Sequence, residues 1–271
     1  MKLLSNKTSK SMKKLVTITA LLSLGSVGLC AATYTWNGNA GDGLWGSPGN
    51  WDLNNGYYPQ SANDTAIIGE NAGTIIWTNE QYYFGESSII TLGSGSEIRC
   101  SIGSGANDFN FNTLNLYGTF SAEGSNALGF KCDFTVNFGN VSAEKSGLLN
   151  LSTFTGNIWG NNHKITLTAT ANVSGSGELN LVKLGKIADS FSYDTSGIEV
   201  VDQFGTKLNL NSGASSVSDL QEGEFAVLAS SHTGGGVSIL YSAPIPEPSA
   251  FGLLAGLGAL ALVGIRRRNH C

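Results

Sequence analysis

Charged residues are scarce in this chain, 13% of its 271 positions against a hydrophobic fraction of 41%. That balance excludes a disordered polyelectrolyte, which carries high charge and too little apolar surface to fill a core. Histidine is rarer still, with three residues in all. Only His163 and His232 fall in the body, far apart, and neither stands in a Gly-x-Ser-x-Gly elbow or a His-Glu-x-x-His helix, so both read as turn residues. Helical periodicity is weak throughout. The best candidate, Gly177 to Asp189 with Leu179, Leu181, Val182 and Leu184, suits a strand as well as a helix.

Glycine, by contrast, is abundant: 36 residues, about twice the usual ~7% share. With short alternating apolar segments between Gly, Asn and Ser, this predicts an all-β chain rich in turns. Phe134-Thr135-Val136-Asn137-Phe138 and Ile165-Thr166-Leu167-Thr168 put apolar side chains on one face and Asn or Thr on the other, so one face is buried and the other wet.

The two ends differ from the body. Lys2, Lys7, Lys10, Lys13 and Lys14 precede the apolar run 15–29, and the small residues Cys30, Ala31 and Ala32 follow it. This order reads as a secretory signal peptide over 1–32, cleaved near Ala32. At the other end Pro244-Ile245-Pro246-Glu247-Pro248 leads into an apolar segment, 249–265, closed by Arg266, Arg267 and Arg268. At ~1.5 Å per residue that segment covers roughly 25 Å, enough for a single transmembrane helix in a slightly thinned bilayer or with snorkelling arginines. The arginines act as a basic stop: moving three of them through the membrane costs about 8 to 10 kcal/mol, so the tail stays cytoplasmic and the body faces outward. The prolines keep the preceding stretch extended and out of the helix.

The order Pro-Glu-Pro, short apolar helix, basic cluster resembles the PEP-CTERM sorting signal, a bacterial family also labelled as an ice-binding protein C-terminal domain. The resemblance runs from Pro244 to Arg268 within a C-terminal region 244–271; Asn269, His270 and Cys271 extend past the arginines. It implies that Pro246, Glu247 and Pro248 form a sorting motif recognised by exosortase, an integral-membrane cysteine protease. The chain would be its substrate, held briefly in the inner membrane and then passed to the cell surface or an exopolysaccharide matrix.

Between these ends lies a body, 33–243. From Thr33 to Pro248 seven basic residues stand against all 20 acidic ones, a formal charge of −13. Such a field disfavours nucleic acid and anionic lipid, and tolerates cations or wet polysaccharide. Leu-Asn-Leu recurs at 114–116, 149–151, 179–181 and 208–210, while Tyr117, Gly118, Phe120, Ser121, Ala122, Glu123 and Ser125 recur about 21 residues later as Phe138, Gly139, Val141, Ser142, Ala143, Glu144 and Ser146. Stacked coils that cannot bury their apolar faces singly account for both repeats. The periods disagree, so either the coils vary in length or the body is an antiparallel β-sandwich. The expectation is a right-handed parallel β-helix, solenoid-like, with the sandwich as the alternative. The opening pattern, Tyr34-Thr35-Trp36-Asn37-Gly38, Gly41-Asp42-Gly43-Leu44-Trp45, Gly49-Asn50-Trp51 and Asn63 to Ile68, resembles the first segment of autotransporter-like β-helix passengers. That likeness implies a solenoid whose first coil is covered by aromatics.

Candidate sites are few. Trp36, Trp45 and Trp51, with Tyr57 and Tyr58, form either an aromatic cap or a sugar-stacking platform. Asn37 to Asp42 spaces oxygen ligands as a Ca²⁺ loop does, but Gly41 takes a ligand position and no Glu closes the loop, so it reads as a turn. Cys30 and Cys271 leave with the ends. Cys100 and Cys132 remain as a disulfide pair or as two buried thiols, and neither has a neighbour at zinc spacing. The acidic pairs Glu222 and Glu224, or Asp189 and Asp194, could supply an acid and a base for glycoside cleavage, but with 20 acidic residues such pairs are inevitable. Thr166, Thr168 and Thr170 share a strand face, a single row rather than an ice-matching lattice. These readings assign no catalytic residue, cofactor or metal. They predict a non-enzymatic surface or matrix protein, with a polysaccharide-binding or polysaccharide-degrading β-helix as the alternative and ice binding a distant third.

Overall fold

A computed structural model describes residues 31–245, except 54, 62, 79–87 and 103–105. The signal-peptide reading, apart from its last two residues, and the sorting residues Pro246, Glu247 and Pro248, the apolar segment 249–265 and Arg266 to Arg268 lie outside the described residues.

The described chain is all-β. Its strands are β1 (Thr33–Thr35), β2 (Thr65–Ile68), β3 (Thr74–Thr78), β4 (Ile89–Leu92), β5 (Glu97–Ile102), β6 (Ala106–Phe109), β7 (Thr113–Leu116), β8 (Thr119–Gly124), β9 (Ala127–Phe130) and β10 (Phe134–Val141). They continue with β11 (Leu148–Asn150), β12 (Asn157–Trp159), β13 (Lys164–Val173), β14 (Ser176–Lys183), β15 (Lys186–Ile187), β16 (Ser192–Asp202), β17 (Asn209–Leu210), β18 (Glu224–Ser230) and β19 (Gly236–Ser242). The segment expected to be either helix or strand, 177–189, is mostly strand, in β14 and β15.

Three sheets result. The first runs β1-β2-β4-β7-β10-β13-β16, the second β17-β18-β19-β14-β11-β8-β5-β3 and the third β15-β12-β9-β6. From β4 to β16 successive strands visit the sheets in turn, and each pairs in parallel with its equivalent in the next winding, as β4 does with β7 and β7 with β10. The body is therefore solenoid-like, built of stacked coils. The antiparallel pairing that a sandwich requires is confined among named strands to the end of the body, where β19 lies between β14 and β18.

The alternating sequence explains the winding. In β13 every second residue from Ile165 to Val173 is buried, and parallel register stacks like on like. Ala66, Ile90, Leu114, Val136 and Leu167 form one inward column across five coils, all fully buried. Each large aliphatic in such a column contributes about 1.5–3 kcal/mol of transfer free energy. A second interior column is aromatic. Phe109 stacks on Phe130 at 6.1 Å, and Phe130 meets Phe134 and Phe191 edge-on at 5.3 and 5.4 Å. These offset and edge-on arrangements are the ones ring quadrupoles favour.

Both sequence repeats need correction as coil periods. Leu114 stacks in the first sheet, while Leu149 lies in the second and pairs with Val182 rather than Leu179. The 21-residue match sets strands of different sheets against each other, Phe120 of β8 against Val141 of β10, whereas Phe120 pairs with Leu149 and the first-sheet register pairs Asn115 with Asn137 at a separation of 22. Neighbouring coils differ: Thr91 and Asn115 are 24 apart, Asn137 and Thr168 are 31 apart. The corners absorb most of the differences in length, and bulges within the strands take up single residues, as between Asn137 and Asn140 and between Thr166 and Thr168.

One corner is closed by glycine for want of space. A Cβ on Gly118 would lie 2.3 Å from the Ser96 carbonyl oxygen and 2.5 Å from that of Gly93, and a Cβ on Gly93 would lie 2.5 Å from the carbonyl carbon of Gly69. Part of the glycine surplus is thus a requirement of backbone stacking on backbone.

Candidate functional site

The first coil is closed by the tryptophans. Trp45 and Trp51 are 0% and 1% exposed, and their rings meet edge-on at 4.9 Å, with Trp36 against Trp51 at 5.2 Å and Trp45 stacked on Trp77 at 5.3 Å. Each buried indole N–H donates to a backbone carbonyl, Trp45 to Pro59 at 3.2 Å and Trp51 to Trp45 at 2.9 Å. With both faces used inside the protein, neither ring is presented for stacking on a sugar. Tyr57 is 58% exposed, and Tyr58 is partly buried against the core.

Asp42 is engaged by its own turn. Its carboxylate accepts from Leu44 N–H at 2.9 Å, from the Asn50 amide at 2.7 Å and from the Ser47 hydroxyl. The Ser47 hydroxyl first, then the Leu44 amide, hold its pKa below the usual carboxylate value, and the Asn37 carboxamide likewise accepts from Asn39 N–H. The buried Asp64, which the sequence did not single out, clasps the first coil: it accepts from the N–H groups of Ala32, Gln60 and Ser61 at 3.2, 3.1 and 2.9 Å.

Three of the four carboxylates considered for glycoside cleavage hold backbone N–H groups. Asp189 accepts from the N–H groups of Gly160 and Asn161. Asp194 accepts from the Ser196 hydroxyl and N–H, and Glu224 from Gln221 N–H and the Asn211 amide. These donors lower the pKa of Asp194 and of Glu224, whereas a general acid needs a raised one. His163 lies in a turn with Nδ1 3.1 Å from the Asp133 carboxylate, and His232 is exposed between β18 and β19. Among the described residues no three His, Cys, Asp or Glu side chains gather as a metal site would require.

Cys100 is buried in β5, and desolvation pushes its thiol pKa up. Cys132 precedes β10, and its thiol donates to the Phe111 carbonyl at 3.4 Å. The structure holds the two as thiols, not as a disulfide.

Outside the core, polar side chains bridge one coil to the next. On the first sheet the Asn115 amide donates to Thr91 Oγ1 at 3.1 Å, the Asn137 amide to Asn115 Oδ1 at 3.3 Å and the Thr168 hydroxyl to Asn137 Oδ1 at 3.1 Å. On the second, Glu97 joins three coils, accepting from Thr74 Oγ1 at 3.0 Å, Ser121 Oγ at 2.7 Å and Arg99 at 2.8 Å. Desolvation opposes ionisation of Glu97, but Arg99, Ser121 and Thr74 together outweigh it and lower its pKa. The threonine row is mixed with other residues: Thr166 pairs with Asp194, Thr168 with Gly197 and Thr170 with Glu199. That face is not a threonine lattice.

The remaining feature is the chain exit. β19 is clamped between β14 and β18, and the Ala243 N–H donates to the Gly175 carbonyl at 2.7 Å. The Gln203 amide then donates to the Pro244 carbonyl at 3.0 Å, and Ile245 emerges 74% exposed. The body thus ends on a fixed strand and passes without a linker into the Pro-Glu-Pro sequence.

Residues 244–268 match the family model of the PEP-CTERM protein-sorting motif. The chain carries that motif, which implies export, a membrane-anchored stage and processing by exosortase. Comparison with curated proteins and with solved structures returns no match. Among the described residues no helix is long and apolar enough to cross a membrane; the segment expected to do so, 249–265, lies outside them.

Proposed function

We propose that exosortase delivers this body to the bacterial cell surface or exopolysaccharide matrix, where it serves as a non-enzymatic structural or adhesive element. The observation that carries the reading is the chain exit: the fixed strand β19 leads directly into the sorting motif, so the whole folded body is the cargo. The carboxylates give support. Asp42, Asp194 and Glu224 each serve backbone N–H groups of their own turns, which fits a scaffold role. The signal peptide over 1–32 and the membrane helix over 249–265 belong to the same reading.

Polysaccharide binding is the second reading, favoured by the outward Asn and Thr ladder, whose amides and hydroxyls suit sugar hydroxyls. Mature protein collected from cells would be screened against a glycan array and incubated with soluble polysaccharides. No chain shortening is expected. Turnover that is lost on changing a single acidic residue would overturn the non-enzymatic assignment, and a specific glycan signal would select the second reading over an inert scaffold.

A further inference from the structure

We propose that the last corner of the body docks on the surface of a zwitterionic bilayer while the sorting tail holds the precursor in the membrane, with Phe204 and Ile245 entering the lipid interface. The proposal rests on reading 249–265 as the membrane segment. Phe204 and Ile245 are 71% and 74% exposed, more than the other large hydrophobic residues found exposed among the described residues. The fold brings them to one place, because the residue before Phe204 bonds the residue before Ile245, Gln203 to the Pro244 carbonyl at 3.0 Å.

Phe204 is held outward by a braced loop. Asp202 is 5% exposed, and its carboxylate accepts from the N–H groups of Phe204 and Thr206, both at 2.8 Å. Its own N–H donates to the Thr206 carbonyl at 2.9 Å, and Gly205, at φ 81°, completes the reversal. Below the loop Val201 bridges Lys207 antiparallel. A tight hairpin with a buried carboxylate at its base therefore presents an aromatic ring to the outside. The interior columns take up most of this protein's phenylalanines, and this one is excluded by its place in the turn.

Geometry supplies the occupant. At ~3.3–3.6 Å per residue the chain from Pro244 to Ser249 spans at most about 18 Å, and the polar interface on one side of a bilayer is itself roughly 5–8 Å deep. The hairpin beside Pro244 is thus kept within a short distance of hydrocarbon, at high effective concentration, so two apolar side chains suffice. Phe side chains of surface-bound segments insert at the boundary between headgroups and acyl chains. The charges flanking the hairpin, Lys207 and Glu199, neutralise each other at 2.7 Å. Glu222 lies close by, next to Gly223, whose N–H bonds the Ser242 carbonyl. An acidic group at that position favours neutral over anionic lipid. Docking would hold the body by this end, with the Pro-Glu-Pro segment between it and the bilayer.

The test uses the chain with its signal peptide removed and its sorting tail intact, residues 33–271, in phosphatidylcholine vesicles, with Phe204→Trp and, at the opposite end, Leu53→Trp. Emission is compared with the unsubstituted protein and challenged with lipid brominated near the acyl carbonyls and with aqueous acrylamide. The docked end predicts that the added Phe204→Trp emission is blue-shifted, quenched by brominated lipid and shielded from acrylamide, while the added Leu53→Trp emission is not. Vesicle-bound protein whose Phe204→Trp emission is quenched only by acrylamide overturns docking and leaves the sorting reading intact. Equal lipid quenching at both positions overturns docking by this end. Failure of the chain to float with vesicles overturns the membrane reading and the docking with it.

Discussion

Asn137 donates its amide to Oδ1 of Asn115 at 3.3 Å across a coil boundary, 22 residues away in sequence. Its own Oδ1 accepts from Thr168 at 3.1 Å and from Gly139 N–H at 3.0 Å. One side chain therefore joins three coils and braces the bulge at Gly139. Replacing Asn137 with Ala removes all three bonds and is expected to cost about 1–3 kcal/mol. Chemical denaturation would read this as a lower midpoint with unchanged slope; an unchanged midpoint would show that the ladder carries no weight.

Gly118 tests the close stacking of corners. A Cβ there collides with backbone oxygens at 2.3 and 2.5 Å, and backbone cannot rotate aside as a side chain can. Gly118→Ala is expected to destabilise by about 1–3 kcal/mol through overpacking. At Gly73 a Cβ would meet nothing within 4 Å, but φ is 82°, so Gly73→Ala isolates backbone conformation from crowding. A thermal melt of both variants separates the two effects.

Asp133 gives a pH signature. The Lys164 N–H first, then His163, hold its pKa below the ordinary carboxylate value. A depressed folded pKa adds stability that is complete above the unfolded value of ~3.9 and vanishes as pH falls through the folded one. The difference in melting temperature between the native protein and Asp133→Asn should be present at neutral pH and close below about pH 4. A gap that persists undiminished far below about pH 4 would contradict the assignment.

Cys100 tests the thiol state. Buried in β5 with its pKa raised, it should resist maleimide in native buffer and react once the protein is unfolded, because the thiolate is the nucleophile. Peptide mapping after labelling reads the site. A Cys100–Cys132 cross-linked peptide from the exported protein would contradict the two-thiol structure.

Much of the fold was legible. Val136 and Leu167 announce buried faces by strict alternation, and the strand reading of the body follows from them. The stacking of Asn115 on Asn137 and of Asn137 on Thr168 was not, because corners of unequal length shift the register between coils and a single chain carries no signal of that shift. The antiparallel closure by β18 and β19 was hidden too: Phe225 to Leu228 reads as one more buried strand, with nothing local to fix its direction. Trp45 and Trp51 were visible as a cap or a platform, and only their 0% and 1% exposure distinguishes the two. Phe204 was missed because an isolated aromatic in a sequence normally signals core, and its exposure follows from the Asp202 hairpin alone.

The central claim is that exosortase processes this chain at its C-terminal motif. The most direct measurement is the intact mass of the protein recovered from the outside of cells with active exosortase, beside that from cells lacking the protease. The account predicts a body truncated near Pro246 to Pro248 in the first case and an uncleaved, membrane-associated chain in the second. Recovery of the complete C-terminus, through Cys271, on exported protein from cells with active exosortase would contradict it.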